Sequence, residues 1–325
     1  MNQYVMKLTD KVLQGGQITP DEAYSLAEFN RLDDLLSLVW AGNRVREKFV
    51  GFQLDLCALV NAKSGICSED CAFCAQSSHY RTEAPVHPLI SDEEMVQAAV
   101  KAKSLGAHRF CIVTSGEMVN EEEMEQIAKA FRKIRQRTGM ELDASLGRLF
   151  PEHIERLKAA GVTRYNHNLE TAESYFGQIV TTHRYRDRVK TVESLKKEGI
   201  EVCCGGIIGL GESVAQRLDL AFALKALEVE CVPINILNPR PGTPLEDAAP
   251  LPPLEIVKTI AIFRLILPSS TIKLAGGREA NLRDLQSLAL LAGANGLIIG
   301  GYLTTQGRGW QEDVQMLRDL GLMAD

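Results

Sequence analysis

Cys67-Ser-Glu-Asp-Cys71-Ala-Phe-Cys74 puts three thiols in a C-x3-C-x2-C spacing, directly after the apolar run at 54–61. Soft thiolates at this density suit an iron–sulfur cluster or zinc. A cubane [4Fe–4S] cluster needs four ligands and the loop offers three, which leaves one iron free to chelate a small molecule through hard donors. A zinc loop and three thiols buried for packing are the competing readings. Polar residues also interrupt an apolar run at Tyr165-Asn-His-Asn-Leu-Glu170, where burial is costly unless each group is satisfied. Alternation along a strand puts Asn166, Asn168 and Glu170 on one face and turns His167 away, towards packing. A ladder of hydrogen bonds inside the fold and a ligand site both fit this pattern. Arg188 offers a bidentate guanidinium for a carboxylate, or else is a solvated charge on a helix. Gly205, Gly206, Gly209 and Gly211 permit close approach of backbone to a ligand.

The elements that hold these residues follow a rhythm. Residues 1–50 read as a helical N-terminal segment, with Thr19-Pro20-Asp21-Glu22 as a start signal. From residue 51 to 325, eight short apolar runs alternate with amphipathic stretches. The runs are 54–61, 109–114, 141–146, 164–169, 201–208, 231–237, 271–274 and 296–300. Predicted helices lie at 91–105, 121–137, 151–160, 186–197, 214–227, 253–267 and 281–292, the first opening with a Ser91/Glu94 capping box. Alternation repeated in this way predicts an α/β fold, a (β/α)8 TIM-type barrel with an N-terminal helical extension, as one catalytic domain. Chemistry in such barrels sits at the C-terminal ends of the strands, and the cysteine loop follows the first of them.

The chain has 325 residues, 45% of them hydrophobic, which allows a large core. Its net charge is −6 and its basic residues are dispersed, which predicts no nucleic-acid partner. No apolar run reaches membrane-spanning length and no signal region opens the chain, so a soluble, cytoplasmic protein is expected. Eight cysteines, three of them in one loop, read as reduced metal ligands rather than a disulfide framework.

The cysteine loop, with Phe73 before its last thiol, resembles the signature of the radical S-adenosylmethionine (SAM) superfamily. The resemblance implies that Cys67, Cys71 and Cys74 hold a [4Fe–4S] cluster whose open iron binds SAM, and that reduction yields a 5′-deoxyadenosyl radical. From about residue 50 to 320 the chain looks like the biotin synthase family. Further motifs carry this: the run at 165–170, Gly199 to Glu212, Val232-Pro-Ile-Asn235, Gly242-Thr-Pro-Leu245, Ala275-Gly-Gly-Arg-Glu279 and Ala292-Gly-Ala-Asn295. The family inserts sulfur between two carbons of dethiobiotin. By resemblance, Asn168 and Glu170 contact the ribose of SAM, Arg188 its carboxylate, and Ile207 and Leu210 its adenine. Thr114, Ser115 and Gly116 fall where the family's backbone binds the methionine amine. Asn166 and Asn235, with Asn168 beside them, are the substrate-contacting positions. Glu170 stands where the family usually has Asp.

The family's usual auxiliary cluster, a [2Fe–2S] sulfur source, has three Cys ligands and one Arg. Cys111 and Cys203 match, but Asp143 and Lys273 stand at the other two positions. Lysine does not replace arginine conservatively at such a site. Cys57 and Cys231 occupy positions that are Ser in usual members. An auxiliary cluster held by Cys57, Cys111, Cys203 and Cys231 is therefore expected, four-iron and able to carry an extra sulfide, rather than the [2Fe–2S] form. Asp143 and Lys273 would pair nearby, and Cys204 would face outward into packing. The resemblance also implies a flavodoxin or ferredoxin as electron donor, a sulfur or cluster-repair system, and a homodimer. Alternatives are another radical SAM enzyme of maturase or mutase type, a non-catalytic iron–sulfur carrier, and a zinc-dependent barrel hydrolase.

Overall fold

The computed structural model describes residues 1–304 and 307–322, so the last residues of the segment expected to run to 325 lie outside the described residues. Three helices, α1 (Gln3–Leu13), α2 (Pro20–Ala27) and α3 (Leu32–Phe49), precede the first strand. Asn2 caps α1 by accepting from the Tyr4 and Val5 amides. Thr19 and Glu22 close a reciprocal capping box on α2, with Pro20 at its first position.

The strands are β1 (Asp55–Lys63), β2 (Arg109–Thr114), β3 (Glu141–Ser145), β4 (Val162–Asn166), β5 (Glu201–Cys203), β6 (Gly206–Ile208), β7 (Cys231–Ile236), β8 (Thr271–Leu274) and β9 (Gly296–Ile298). Among the described residues they form one parallel sheet, ordered β5-β4-β3-β2-β1-β9-β8-β7-β6. Cys203 of β5 also pairs with Cys231 of β7, which closes the ring. β5 and β6 are two halves of one stave, so the closed barrel has eight positions, the TIM-type architecture expected. The helices between strands are α4 (Asp92–Ser104), α5 (Glu121–Thr138), α6 (Pro151–Ala159), α7 (Glu173–Phe176), α8 (Tyr185–Lys197), α9 (Val214–Ala226) and α10 (Pro253–Ile266).

The run at 201–208 is not one strand. A Cβ on Gly205 would lie 2.0 Å from the carbonyl oxygen of Pro233. The backbone of β7 presses against the chain here, and the ladder breaks at Cys204-Gly205. The helix expected over 281–292 is also divided. It becomes α11 (Arg278–Leu282), a 3-10 turn at Arg283–Leu285 and α12 (Gln286–Leu291), and Arg283 carries a positive φ of 50° at the break. A last helix, α13 (Trp310–Asp319), lies beyond the elements expected from the sequence and buries Val314, Met316 and Leu317.

Period-two alternation sorts each strand into a lumen face and a core face. On β2, Phe110 and Ile112 join the hydrophobic core under the helices, while Cys111 and Val113 line the lumen. On β1, Leu56 and Ala58 go outward and Cys57 and Leu59 inward. Val202 and Cys204 pack in the core and Cys203 faces the lumen, so Cys204 points outward as expected.

Candidate active site

The cysteine loop leaves the end of β1 and turns back on itself. Cys67 donates its amide to the Gln76 carbonyl at 3.0 Å, and Ser78 donates to the Cys67 carbonyl at 2.8 Å. The Cys74 amide donates to the Cys71 carbonyl at 2.9 Å. Across the mouth, Ala72 donates to the Ile179 carbonyl at 2.8 Å, and the Asp70 carboxylate accepts from the Thr181 and Thr182 amides at 2.9 and 3.2 Å. The loop is thereby fastened to the segment that follows α7. Burial pushes the Cys71 thiol up, and Cys74 up to about 11. Loading with iron must displace these protons.

Below the loop lies a cavity of about 400 Å3 that runs down the barrel axis. Phe73 and Cys74 line its mouth, Asn166, Asn168, Glu170, Arg188, Ile207 and Asn235 its walls, and Cys57, Cys111, Cys203 and Lys273 its floor. The volume lies within the range of small-molecule sites. Several expected residues stand off the cavity. Leu210 packs instead with Cys71, Phe176 and Ile179 in a separate apolar cluster. The Ser115 hydroxyl donates to the Gly65 carbonyl at 2.8 Å, and its amide donates to Lys63. Thr114 and Gly116 on either side do line the cavity.

His167 is not turned away. β4, expected over 164–169, spans Val162–Asn166 and so ends three residues early, and the chain beyond runs irregularly along Gly205 and Gly206. Glu170 adopts a positive φ of 70° there, so the alternation lapses and His167 joins its neighbours on the cavity wall. Burial, with Arg188 and His183 nearby, holds the imidazole neutral well below its usual range.

The asparagines are part-satisfied. Asn166 Nδ2 donates to Cys111 Sγ at 3.1 Å, while its Oδ1 is buried without a partner. Asn168 Oδ1 accepts from the Gly205 amide at 3.1 Å, and its Nδ2 reaches Glu170 at 3.4 Å. Asn235 bridges Gly206 and Gly276, accepting from the Gly276 amide at 2.9 Å. Each amide keeps hydrogen-bonding capacity for a ligand. The orphaned Oδ1 of Asn166 and Oγ1 of Thr114 are what a polar ligand in this cavity would satisfy.

At the floor, Cys203 Sγ donates to Cys231 Sγ at 3.2 Å. That bond raises the Cys203 thiol and lowers Cys231, and Lys273 and Arg164 add to the pull on Cys231. Burial pushes Cys57 up to about 12 and Cys111 well above the ordinary range. Asp143 and Lys273 do not pair with one another. Asp143 accepts from Arg109 Nη1 at 2.7 Å, whereas Lys273 Nζ lies 3.0 Å from Asp55 Oδ1. Arg164 bonds the other Asp55 oxygen at 2.6 Å and Glu201 at 3.1 Å. Registry explains the choice, since Asp55 and Lys273 both pair with Gly296, and a Cβ there would crowd the Lys273 stem. Burial disfavours both charges of this pair, but the neighbours prevail. Lys273 and Arg164 hold the Asp55 carboxyl far below its usual range, and Cys231 and Asp55 push Lys273 well above its own. Sequence reading missed Asp55, Arg109 and Arg164, although charges at lumen positions of apolar strands were a visible signal.

The donor set therefore divides by depth. Soft sulfur gathers in the loop and again at the floor, with hydrogen-bonding amides between. Among the described residues no three His, Cys, Asp or Glu side chains converge on a single metal ion. Asp143 and Lys273 are each drawn into an ion pair, although Asp143 Oδ2 stays buried without a partner, and sulfur is the softer donor on offer for an iron–sulfur cluster.

A closed parallel barrel with this loop at its mouth defines a radical SAM enzyme, and a Radical SAM superfamily model matches residues 62–224. A Biotin and Thiamin Synthesis associated domain model matches residues 233–323. The biotin synthase of Carboxydothermus hydrogenoformans is 50% identical over 320 residues, covering 98% of each chain. That of Citrifermentans bemidjiense is 51% identical over 322 residues, covering 99% of this chain and 98% of its own. The chain belongs to the biotin synthase family. It is accordingly an enzyme that uses a [4Fe–4S] cluster, SAM and an auxiliary iron–sulfur cluster, which sets aside the carrier and zinc hydrolase readings. The fold is shared with methylornithine synthase, at a TM-score of 0.84 and 20% identity over 98% of this chain and 97% of that one. It is also shared with an FeFe-hydrogenase maturase from Carboxydothermus hydrogenoformans, at a TM-score of 0.81 and 20% identity over 98% and 78%.

Proposed function

We propose that the chain converts dethiobiotin to biotin in this cavity. The observation that carries the reading is one lumen with Cys74 at its mouth, Cys57, Cys111 and Cys203 at its floor, and Asn166 between them. When bound, the [4Fe–4S] cluster and SAM supply hydrogen-abstracting chemistry, and the auxiliary cluster supplies sulfur. Cys67, Cys71 and Cys74 hold the first cluster. Arg188 grips the SAM carboxylate, Asn168 and Glu170 orient the ribose, and Phe73 and Ile207 wall the site, with Leu210 supporting from behind. Asn166 and Asn235 hold the ureido ring, so that the carbons to be joined to sulfur lie between the two groups of thiols. The barrel excludes water around the reacting carbons.

Cys57, Cys111, Cys203 and Cys231 hold the auxiliary cluster. Support comes from the 3.2 Å approach of Cys203 to Cys231 and from the ion pairs that occupy Asp143 and Lys273. Four sulfur donors suit a four-iron cluster with an extra sulfide better than a [2Fe–2S] cluster. The same reading includes a flavodoxin or ferredoxin as donor, a sulfur or cluster-repair system, a homodimer and a cytoplasmic setting. No described helix is long and apolar enough to cross a membrane. The test is anaerobic reconstitution with iron and sulfide, reduction, and addition of SAM and dethiobiotin, with mass spectrometry for biotin. Biotin is expected. Cleavage of SAM without biotin would overturn dethiobiotin as substrate.

A further inference from the structure

One hydrogen-bonded chain on the cavity wall runs from Glu69 through His183 to Arg188. Glu69 lies inside the cysteine loop, between Cys67 and Cys71, and its carboxylate meets His183 Nδ1. On the other side of the ring, Arg188 Nε donates to His183 Nε2 at 2.9 Å. The two contacts determine the tautomer. An arginine Nε–H can only donate, so His183 Nε2 must present a lone pair, and the proton must sit on Nδ1 and point at Glu69. Arg188 is held at two further points: Nη1 donates to the Asn168 carbonyl at 3.0 Å and lies 3.4 Å from Glu170. Among the described residues no hydrogen bond uses Arg188 Nη2, and Arg188, His183 and Glu69 all line the cavity. Phe176 meets the His183 ring edge-on, at 5.6 Å between centroids, and fixes its plane.

We infer that His183 is a positioning residue: with its tautomer set by Glu69 of the cysteine loop, it locks Arg188 through Nε and leaves the Nη2 edge aimed at the SAM carboxylate. The loop that carries the first cluster and the arginine that grips the cosubstrate thereby form one rigid unit. A guanidinium free to rotate about its last side-chain bonds would lose entropy on binding; one held at Nε and Nη1 has lost it in advance. A histidine that merely filled space against Phe176 would need neither polar contact.

The inference rests on the assignment of Arg188 to the SAM carboxylate, and the experiment separates the two. Four reconstituted proteins are compared with the parent: His183→Phe, His183→Gln, Arg188→Ala and the His183→Phe/Arg188→Ala double variant. Readouts are iron and sulfide content, SAM affinity by equilibrium dialysis, and the change in the reduced cluster's electron paramagnetic resonance spectrum on adding SAM. Phenylalanine keeps the ring against Phe176 and removes both polar contacts. Glutamine can accept from Arg188 and donate to Glu69. Loss of a hydrogen bond to a charged group predicts SAM affinity about tenfold weaker in His183→Phe, with iron content unchanged. His183→Gln should recover most of that loss, and His183→Phe should have little further effect once Arg188 is gone. Parental SAM affinity in His183→Phe, loss of its iron, or an undiminished effect in the Arg188→Ala background would each overturn the positioning role. Parental affinity in Arg188→Ala would instead remove the assignment of Arg188 itself.

Discussion

Lysine 273 illustrates how one side chain changes the meaning of a site. A guanidinium at that position could reach iron, but here an ammonium turns to Asp55 at 3.0 Å, and the pair shares the floor with Arg164, Arg109 and Asp143. Charge and sulfur therefore share the floor. Removing one charged member leaves the others buried and uncompensated. Asp55→Asn should lower stability by about 3 kcal/mol, read as a drop in the urea midpoint at unchanged slope, because Lys273 and Arg164 lose their shared partner. The thiols make a second, separable prediction. Cys57→Ser and Cys231→Ser should lose the auxiliary iron and reduce biotin formation by at least the ~100-fold that disturbing a metal's outer shell can cost, while still cleaving SAM. Parental iron content and biotin formation in both variants would sink the four-cysteine assignment.

At the scale of elements, the fifth stave is the informative one. Its interruption at Cys204-Gly205 frees the Gly205 amide for Asn168 and sends the backbone of 167–170 across the cavity wall. A regular strand would have kept His167 outside and Glu170 in ordinary alternation. Outside the barrel, helices dock through their ends as well as their apolar faces. Asp92 at the start of α4 bonds Lys133 and Lys129 of α5 at 2.7 and 3.1 Å. Those bonds, Lys133 foremost, hold its carboxyl down at about 2, below the ~3.9 of an unfolded chain. A depressed carboxyl stabilises the fold above the unfolded value and ceases to do so as pH falls through the folded one. Asp92→Asn should therefore lower Tm by about 1 °C at neutral pH and low salt. The gap to the parent should close between about pH 5 and about pH 2, and should shrink in high salt. A gap independent of both would refute the ion-pair origin.

Over the whole molecule, buried charges act as ties between the barrel and what surrounds it. Lys258 of α10 donates to the Ala27 and Phe29 carbonyls at 2.8 and 3.2 Å and so holds the N-terminal helices on the barrel. Arg264 bonds carbonyls at 267, 268, 270 and 293. Arg278 does the same for the C-terminal helix, meeting Asp313 of α13 at 2.6 Å with both side chains fully buried. Arg278→Met strands that carboxylate and should cost about 3–5 kcal/mol. Hydrogen exchange should show α13 opening first. Adding Asp313→Leu should restore part of the loss, since an apolar pair replaces a buried ionic one at little net cost. Exchange that rises evenly through the barrel would contradict the tie.

Much of this was legible in the residues alone, because it depends on local rules. Three closely spaced thiols mark a cluster loop wherever it folds, strand–helix alternation forces a parallel barrel, and period two separates Cys203 from Cys204 without a coordinate. The tertiary structure decided the partners. Which carboxylate meets Lys273 depends on strand register around a closed ring, and His183 meets Glu69 only because two loops distant in sequence converge at the barrel mouth. The broken fifth stave has the same origin: a carbonyl of β7 pressing on Gly205 is a contact between distant segments, and a sequence carries no distance between them.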